Sequence, residues 1–369
     1  MTVSDKPQVL FIGDLDESLP EFKEFSTKFE VVKYKISTEE DLINKFKTEF
    51  KDIQAIYGSW LGFVPVGGFK GDILKNAPAH LKVISICSVG YDGYDGKGMR
   101  EKDIVLTHVP SEGAAEPVAD LVLFNTLASF RQFNKYEKPF NPEHNHTVKL
   151  RKLLDNSSSF DTKSGSVVLS SNSTDYHFGH YINERPNLNP RNHNAVIVGF
   201  GNIGKTIGKK LSDLGMNIHY IKRSPLSKQE EEQLGYKAIY HPNILSTKSI
   251  ADLIVIACPA TPETEHLINK DVIDSIENPF RIINIGRGII IDESALVDGL
   301  KSGKVLFAGL DVYEQEPRVN EELFGRQDVI LTPHIGASTV ENFDFTAIQA
   351  LKNIENVLLQ NGSGLNTVN

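Results

Sequence analysis

The first third of the chain alternates short apolar runs with amphipathic stretches, and the two have different periods. Runs at 9–12, 31–34, 53–57, 81–87 and 104–109 are rich in Val, Ile, Leu and aromatic residues with little polar alternation, as in strands buried on both faces. Between them, 21–28, 38–50 and 71–76 space their apolar residues three or four apart, as helices with one buried face do. The pattern resumes later, with strands predicted at 195–198, 217–221, 253–257, 282–285, 305–310 and 329–331 and helices at 203–214, 270–276 and 294–302. Such βα alternation predicts parallel sheets with ligands at the carboxyl ends of the strands. Residues 116–130 read as one long apolar helix, and 340–359 as an amphipathic helix able to return to the first domain. The expected architecture is therefore α/β: two open parallel-sheet domains, one from 1–112 plus 336–369 and the other, 113–335, inserted between them.

Between 134 and 191 the periodicity fades and the chain turns Ser-, Asn- and His-rich, which predicts a polar surface excursion. His144, His146, His177 and His180 lack a Cys or acid at ligand spacing, so they read as solvated side chains and no metal is expected. Asn156, Asn172 and Asn361 begin glycosylation-type triplets, but the polar start of the chain resembles no secretory leader, so these carry little weight. The 369 residues suffice for about two domains, and a net charge of −9 argues against a nucleic-acid surface or a polybasic membrane contact. The two cysteines, Cys87 and Cys258, sit in apolar runs and read as buried thiols. No apolar run approaches a membrane span, and the last three residues form no peroxisomal address, so the expected setting is cytosolic.

The stretch from Val196 to Gly204 carries the first chemistry. A strand runs into Gly199-Phe-Gly201-Asn202-Ile203-Gly204, and Ile203, Ile207, Leu211 and Leu214 then share one helical face up to Gly215. Gly199 permits the tight turn, Gly201 lets backbone approach a pyrophosphate, and Gly204 lets helix and strand pack closely, while the helix start supplies partial positive charge. This is a dinucleotide site. About 20 residues past the glycines an acid would bind a ribose 2′-hydroxyl; Lys222, Arg223 and Ser224 stand there instead. Two cations and a hydroxyl suit a 2′-phosphate, so NADPH is the expected cofactor, with NAD as the alternative.

Three predicted strand ends in the second domain present polar groups: Arg287 in Asn-Ile-Gly-Arg-Gly, Glu316 before Pro317, and His334 after Pro333. Arg287 and Glu316 are 29 residues apart, and Glu316 and His334 are 18 apart. With these motifs in order, the chain resembles the D-isomer-specific 2-hydroxyacid dehydrogenases from about Lys82 to Thr339. The resemblance implies a flavodoxin-like substrate domain carrying an inserted Rossmann domain, a homodimer, and the reduction of 2-oxo acids. It also implies that Arg287 binds the 2-oxo acid, His334 is the acid/base and Glu316 is its partner. The chemistry asks for such groups independently: hydride delivery to a 2-oxo acid builds negative charge on the carbonyl oxygen, which a proton donor and a fixed cation both stabilise.

The same resemblance assigns Ser88, Val89 and Gly90 to the loop whose amides hold the substrate carboxylate. It places Cys258 and Pro259 in the segment flanking the adenosine and Asp311 against the nicotinamide carboxamide, and counts Thr264, Ile285 and Gly336 among the cofactor-binding residues. Asp311 reads equally well as a strand-end cap. The chain departs from the family at Gly286, where Ala or Ser usually precedes the arginine, and in 134–191, which is longer and lacks the usual tryptophan-containing motif. Glyoxylate or hydroxypyruvate is the expected substrate class. Two alternatives stand beside it. Residues 188–193 resemble fungal D-mandelate dehydrogenases and so suggest bulkier or aromatic 2-oxo acids, and corepressor-like dinucleotide-sensing scaffolds also resemble this family. Trp60 and Phe63, after the 53–57 strand, are expected to fill the substrate pocket and favour a small acid.

Overall fold

The computed structural model describes residues 6–154, 159–170, 178–182 and 185–369; His177 and the Asn156 and Asn172 triplets lie outside the described residues. The chain divides into two compact units, Met1–Gly113 with Ser338–Asn369, and Ala114–Ala337.

The first unit holds β1 (Gln8–Ile12), β2 (Glu30–Tyr34), β3 (Ala55–Gly58), β4 (Val83–Ile86) and β5 (Val105–Thr107) in one sheet ordered β2-β1-β3-β4-β5. All pairings are parallel, which is the flavodoxin-like order. Because side chains alternate faces along a strand, Leu10, Ile12, Ile56 and Ile84 join one core with Leu42, Phe46 and Ile73 from the helices. Val9, Phe11, Tyr57 and Val83 join the other core, with Phe25 and with Ala347, Leu351 and Ile354 of the Val340–Leu359 helix. The predicted 38–50 helix is observed as Glu39–Lys47, capped by the Thr38 side chain; Phe50 turns back into the core through its N–H to the Lys45 carbonyl at 2.7 Å. Past the last helix, Thr367 bridges Thr107 in antiparallel fashion, and Asn369 donates to the carbonyls of Gly96 and Ile104 at 2.9 Å. The tail thus closes the exposed side of β5, an edge that would otherwise present unpaired backbone groups.

In the second unit the 134–191 excursion carries more structure than its composition suggests. Helices Phe133–Glu137 and Thr147–Leu153 are followed by two antiparallel pairs, β6 (Ser159–Asp161) with β7 (Ser166–Val168) and β8 (Tyr181–Ile182) with β9 (Arg185–Pro186). Leu150, Leu154 and Ile182 bury a small core of their own. Arg326 anchors the β6–β7 pair by donating to the Thr162 and Lys163 carbonyls at 3.0 Å while its guanidinium grips Asp328. These are long-range contacts, which is why local periodicity gave no sign of them.

The second sheet contains β10 (Asn194–Val198), β11 (Asn217–Ile221), β12 (Ala238–His241), β13 (Leu253–Ile256), β14 (Phe280–Asn284), β15 (Val305–Leu310) and β16 (Val329–Leu331). Its order is β12-β11-β10-β13-β14-β15-β16, all parallel. That is the Rossmann order, with the strand sequence reversing at β10. The sequence pattern misses β12 and the Lys228–Leu234 helix before it, because β12 is an edge strand with no fully buried residue. No helix among the described residues is long and apolar enough to cross a membrane.

Candidate active site

With every strand of the second sheet parallel, β10, β11, β13, β14, β15 and β16 all end on one edge. The glycine loop opens there. Gly199 has φ +95°, and a Cβ on it would fall 2.5 Å from the Cys258 amide; a Cβ on Gly204 would fall 2.2 Å from the Gly199 carbonyl. Both glycines therefore serve the turn's own packing. A Cβ on Gly201 would meet nothing within 4 Å, and the Asn202–Asp213 helix that begins there has no side-chain cap. The open space and the uncapped helix start fit a pyrophosphate held by backbone N–H groups. Cys258 and Ile285 follow β13 and β14, and the Thr264 hydroxyl ties its own turn by donating to the Pro259 carbonyl at 2.9 Å. Burial pushes the Cys258 thiol up to about 11, which leaves it a protonated packing group.

At the end of β11, Lys222 has an acidic neighbour that its sequence surroundings do not reveal. Glu230 of the Lys228–Leu234 helix lies 4.0 Å from the Lys222 ammonium and 3.1 Å from that of Lys205. The backbone N–H of Ser227, in a capping box, and then Lys205 hold the Glu230 carboxyl down at about 2.

Arg287 sits half-buried on a loop that Asn284 shapes. The buried Asn284 amide donates to the Arg287 carbonyl at 2.9 Å, and its oxygen accepts from the Gly286 N–H at 3.0 Å. Gly286 is the family's usual Ala or Ser position, and a Cβ there would fall 2.6 Å from the Cys258 carbonyl, so glycine is what this backbone approach admits. A Cβ on Gly288 would fall 1.8 Å from the Tyr313 carbonyl carbon, so the Arg287 loop packs backbone to backbone on the loop carrying Glu316.

His334 and Glu316 meet: the His334 Nδ1 lies 3.3 Å from one Glu316 carboxylate oxygen and 3.4 Å from the other. His334 has φ +55°, a conformation that costs a non-glycine residue about 1 kcal/mol or more unless its surroundings enforce it. Asp311 does the enforcing. One carboxylate oxygen accepts from the Thr332 hydroxyl (2.7 Å) and the Ile335 N–H (2.9 Å), and the other from the Gly336 N–H (2.8 Å). Asp311 is 4% exposed and so acts as a buried staple for the His334 loop, the strand-end cap that its sequence position allowed. Gly336 is closely matched to it, since a Cβ there would lie 2.9 Å from that carboxylate.

A second latch, which the sequence pattern did not single out, holds the Glu316 loop from the other side. Glu293 and Glu314 exchange backbone-to-carboxylate bonds at 3.0 and 2.8 Å, and His266 Nε2 lies 2.7 Å from Glu314. The hydrogen bond to Glu314 raises the His266 pKa above its ordinary value. A histidine held above its unfolded value of about 6.5 contributes stability fully below that pH and loses it as pH rises through the folded value. At 40% exposure solvent screening keeps the pair to about 0.2–1 kcal/mol. His266→Gln is therefore expected to lower Tm relative to the parent near pH 5.5 and to match it by about pH 9; an equal Tm deficit at both would assign His266 a packing role only.

Ser88, Val89 and Gly90 belong to the first unit, just beyond β4. The Ser88 hydroxyl donates to the Gly90 carbonyl at 2.7 Å, and the Val89 carbonyl lies 2.9 Å from His108 Nδ1. The Val89 and Gly90 N–H groups donate to no backbone carbonyl among the described residues, which suits them to an anion. The expectation that Phe63 fills a substrate pocket is corrected: Phe63 is 3% exposed and packs edge-on against Phe69 and Tyr94 in the core of the first unit. Trp60 is 38% exposed, just past β3. Residues 188–193, the mandelate-dehydrogenase-like segment, lead into β10 from the opposite, amino edge of the second sheet, with His193 packed on Phe130 and 3.3 Å from Asp252. They stand away from the chemistry.

A Rossmann unit and a flavodoxin-like unit, with a histidine–carboxylate pair and an arginine loop at the strand ends, define a dinucleotide-dependent oxidoreductase of two-domain type. The chain belongs to the D-isomer-specific 2-hydroxyacid dehydrogenase family. Residues 172–336 match the model of that family's NAD-binding domain. A Saccharomyces cerevisiae protein that bears the name 2-hydroxyacid dehydrogenase is 32% identical over 396 residues, covering 100% of this chain and 98% of the relative. A glyoxylate/hydroxypyruvate reductase of Arabidopsis thaliana is 29% identical over 90% of each chain. The holo crystal structure of Rhodotorula graminis D-mandelate dehydrogenase is similar with a TM-score of 0.83 and 28% identity, covering 98% of this chain and 97% of that one.

Proposed function

We propose that the protein reduces a small 2-oxo acid, glyoxylate or hydroxypyruvate, to the 2-hydroxy acid with NADPH. The observation that carries the reaction is the His334–Glu316 pair, 3.3 Å apart beside the Arg287 loop at the carboxyl edge of a dinucleotide fold. A nicotinamide dinucleotide bound at the glycine loop supplies the hydride. Arg287 engages the substrate carboxylate and the carbonyl oxygen through its fork of donors. His334 delivers the proton to the carbonyl oxygen as the hydride reaches the carbonyl carbon, and Glu316 orients the imidazole through Nδ1. The likeness to the Arabidopsis reductase supports the small acid. The likeness to the mandelate enzyme supports a second reading, turnover of aromatic 2-oxo acids. We read the setting as cytosolic and the assembly as a homodimer.

Dinucleotide oxidation with glyoxylate, hydroxypyruvate, phenylpyruvate and benzoylformate tests both readings. Higher kcat/KM for the first two supports the small-acid assignment, the reverse order replaces it with the mandelate type, and no turnover with any leaves a dinucleotide-sensing scaffold. Lys222, Arg223 and Ser224 support NADPH. Lys222→Asp is expected to lower kcat/KM with NADPH by about ten-fold or more relative to NADH, since a charge-assisted phosphate contact is worth about 1.5–3 kcal/mol. A parent enzyme that uses NADH and NADPH equally well would remove the NADPH preference.

A further inference from the structure

At the amino edge of the β10–β16 sheet, opposite the edge that carries Arg287, Glu316 and His334, lies a cavity of about 250 Å3. Its walls come from the starts of β13, β14, β15 and β16, from the end of the Glu112–Arg131 helix, and from Asn134, Lys135, Arg185, Pro186 and Leu188. Three cations line it: Lys135 and Arg185 from the excursion and Arg281 from β14. Lys135 is 4% exposed and Arg281 6%. Arg185 is half-buried. Burying a cation without a counter-charge is costly, and gathering three on one cavity is more so.

The two acids on the cavity wall, Asp328 and Asp252, act on them through space but pair with other groups. Asp328 is gripped by Arg326 through two bonds of 2.9 and 2.8 Å. Asp252 accepts from the Asn194 N–H at 2.8 Å and sits 3.3 Å from His193. Lys135, Arg185 and Arg281 have no carboxylate within ion-pair distance among the described residues. Their partners are weaker. Lys135 donates to the Gln132 side-chain oxygen at 2.9 Å and lies over the Phe160 ring at 4.1 Å, with Arg185 on the same ring at 4.7 Å. Arg281 lies 3.9 Å from the Phe130 ring centre and donates through Nε to the Ser129 carbonyl at 3.4 Å. Burial, and then the neighbouring Arg185 charge, push Lys135 down to about 7, and burial pushes Arg281 down to about 10. Among the described residues, then, three cations face one cavity with no carboxylate paired to any of them.

We propose that this cavity is a binding site for a small oxyanion of the phosphate or sulfate type, held by Lys135, Arg185 and Arg281 and distinct from the dinucleotide and substrate sites. Two guanidinium forks and an ammonium suit the several acceptor oxygens of such an ion, and a cavity of about 250 Å3 has room for it. Because the ion would lie at the amino edge of the sheet, it does not compete with a dinucleotide at the carboxyl edge.

Equilibrium dialysis of the full chain against labelled sulfate, at constant ionic strength and with or without saturating NADPH, tests this. The expected result is one sulfate retained per chain in both conditions, displaced by inorganic phosphate. Lys135→Gln and Arg185→Gln are each expected to weaken binding by about ten-fold or more, and Lys222→Asp to leave it unchanged. In anion-free buffer Lys135→Gln should unfold at or above the parent Tm, because it removes a repelling buried charge; this separates lost binding from lost folding. No retained sulfate, displacement of all of it by NADPH, or parent-like affinity in both glutamine variants would overturn the proposal.

Discussion

Replacing His334 with glutamine is expected to lower kcat for 2-oxo acid reduction by about 100-fold or more while dinucleotide affinity stays within about two-fold of the parent. The expectation follows from the geometry of one side chain. His334 is the titratable donor whose Nδ1 is held 3.3 Å from Glu316, and it stands on the loop after β16 rather than on the glycine loop that grips the cofactor. Glutamine keeps polarity and bulk but cannot deliver a proton, so the loss belongs to the chemical step. Glu316→Gln keeps a hydrogen-bonding partner for the imidazole but removes the carboxylate, and is expected to fall between parent and His334→Gln. If His334→Gln retains more than a tenth of the parent kcat, the proton comes from another group and the assignment of His334 fails.

The second large effect is expected at Asp311. Its two carboxylate oxygens receive three donors within 2.9 Å, all from the segment 332–336 that carries His334. Asp311→Asn places an amide N–H against the Gly336 N–H and leaves a buried donor unpaired, a loss of about 1.5–3 kcal/mol. For a unit of this size that corresponds to a fall in Tm of about 3–12 °C. Because the same bonds impose the left-handed conformation of His334, kcat is expected to fall by about ten-fold or more in parallel. A variant with unchanged Tm but a raised KM for the dinucleotide would show that Asp311 acts on the cofactor and not as a staple. The two variants are separable by thermal melting, since His334→Gln alters no staple bond.

The chemistry of this chain was unevenly legible before its fold. The Gly199 to Gly204 spacing follows from sterics that apply to any backbone packed so closely, and the turn and packing roles expected of Gly199 and Gly204 match the observed clearances. Arg287, Glu316 and His334 were visible because each follows an apolar run by three to six residues, and a parallel sheet gathers the ends of such runs on one edge. The groups that hold these side chains were less visible. Asn284, Glu293, Glu314 and His266 act through backbone partners or over separations of 21 to 48 residues, and no local period records those. Glu230, too, reaches Lys222 only because the Lys228–Leu234 helix folds back over β11.

What the sequence by itself determined is the alternation of buried strands with amphipathic helices, and with it two parallel sheets and the glycine turn after β10. These depend on side-chain polarity and backbone freedom at neighbouring positions, which the chain carries locally. Only the tertiary structure decided that Phe63 is core while Trp60 is partly exposed, that Asp311 staples the histidine loop, and that the polar excursion carries its own small core. It also decided that Lys135, Arg185 and Arg281, far apart in sequence, line one cavity. Burial and charge pairing are properties of what packs around a side chain, and for these residues the partners come from distant segments that only the folded chain brings together.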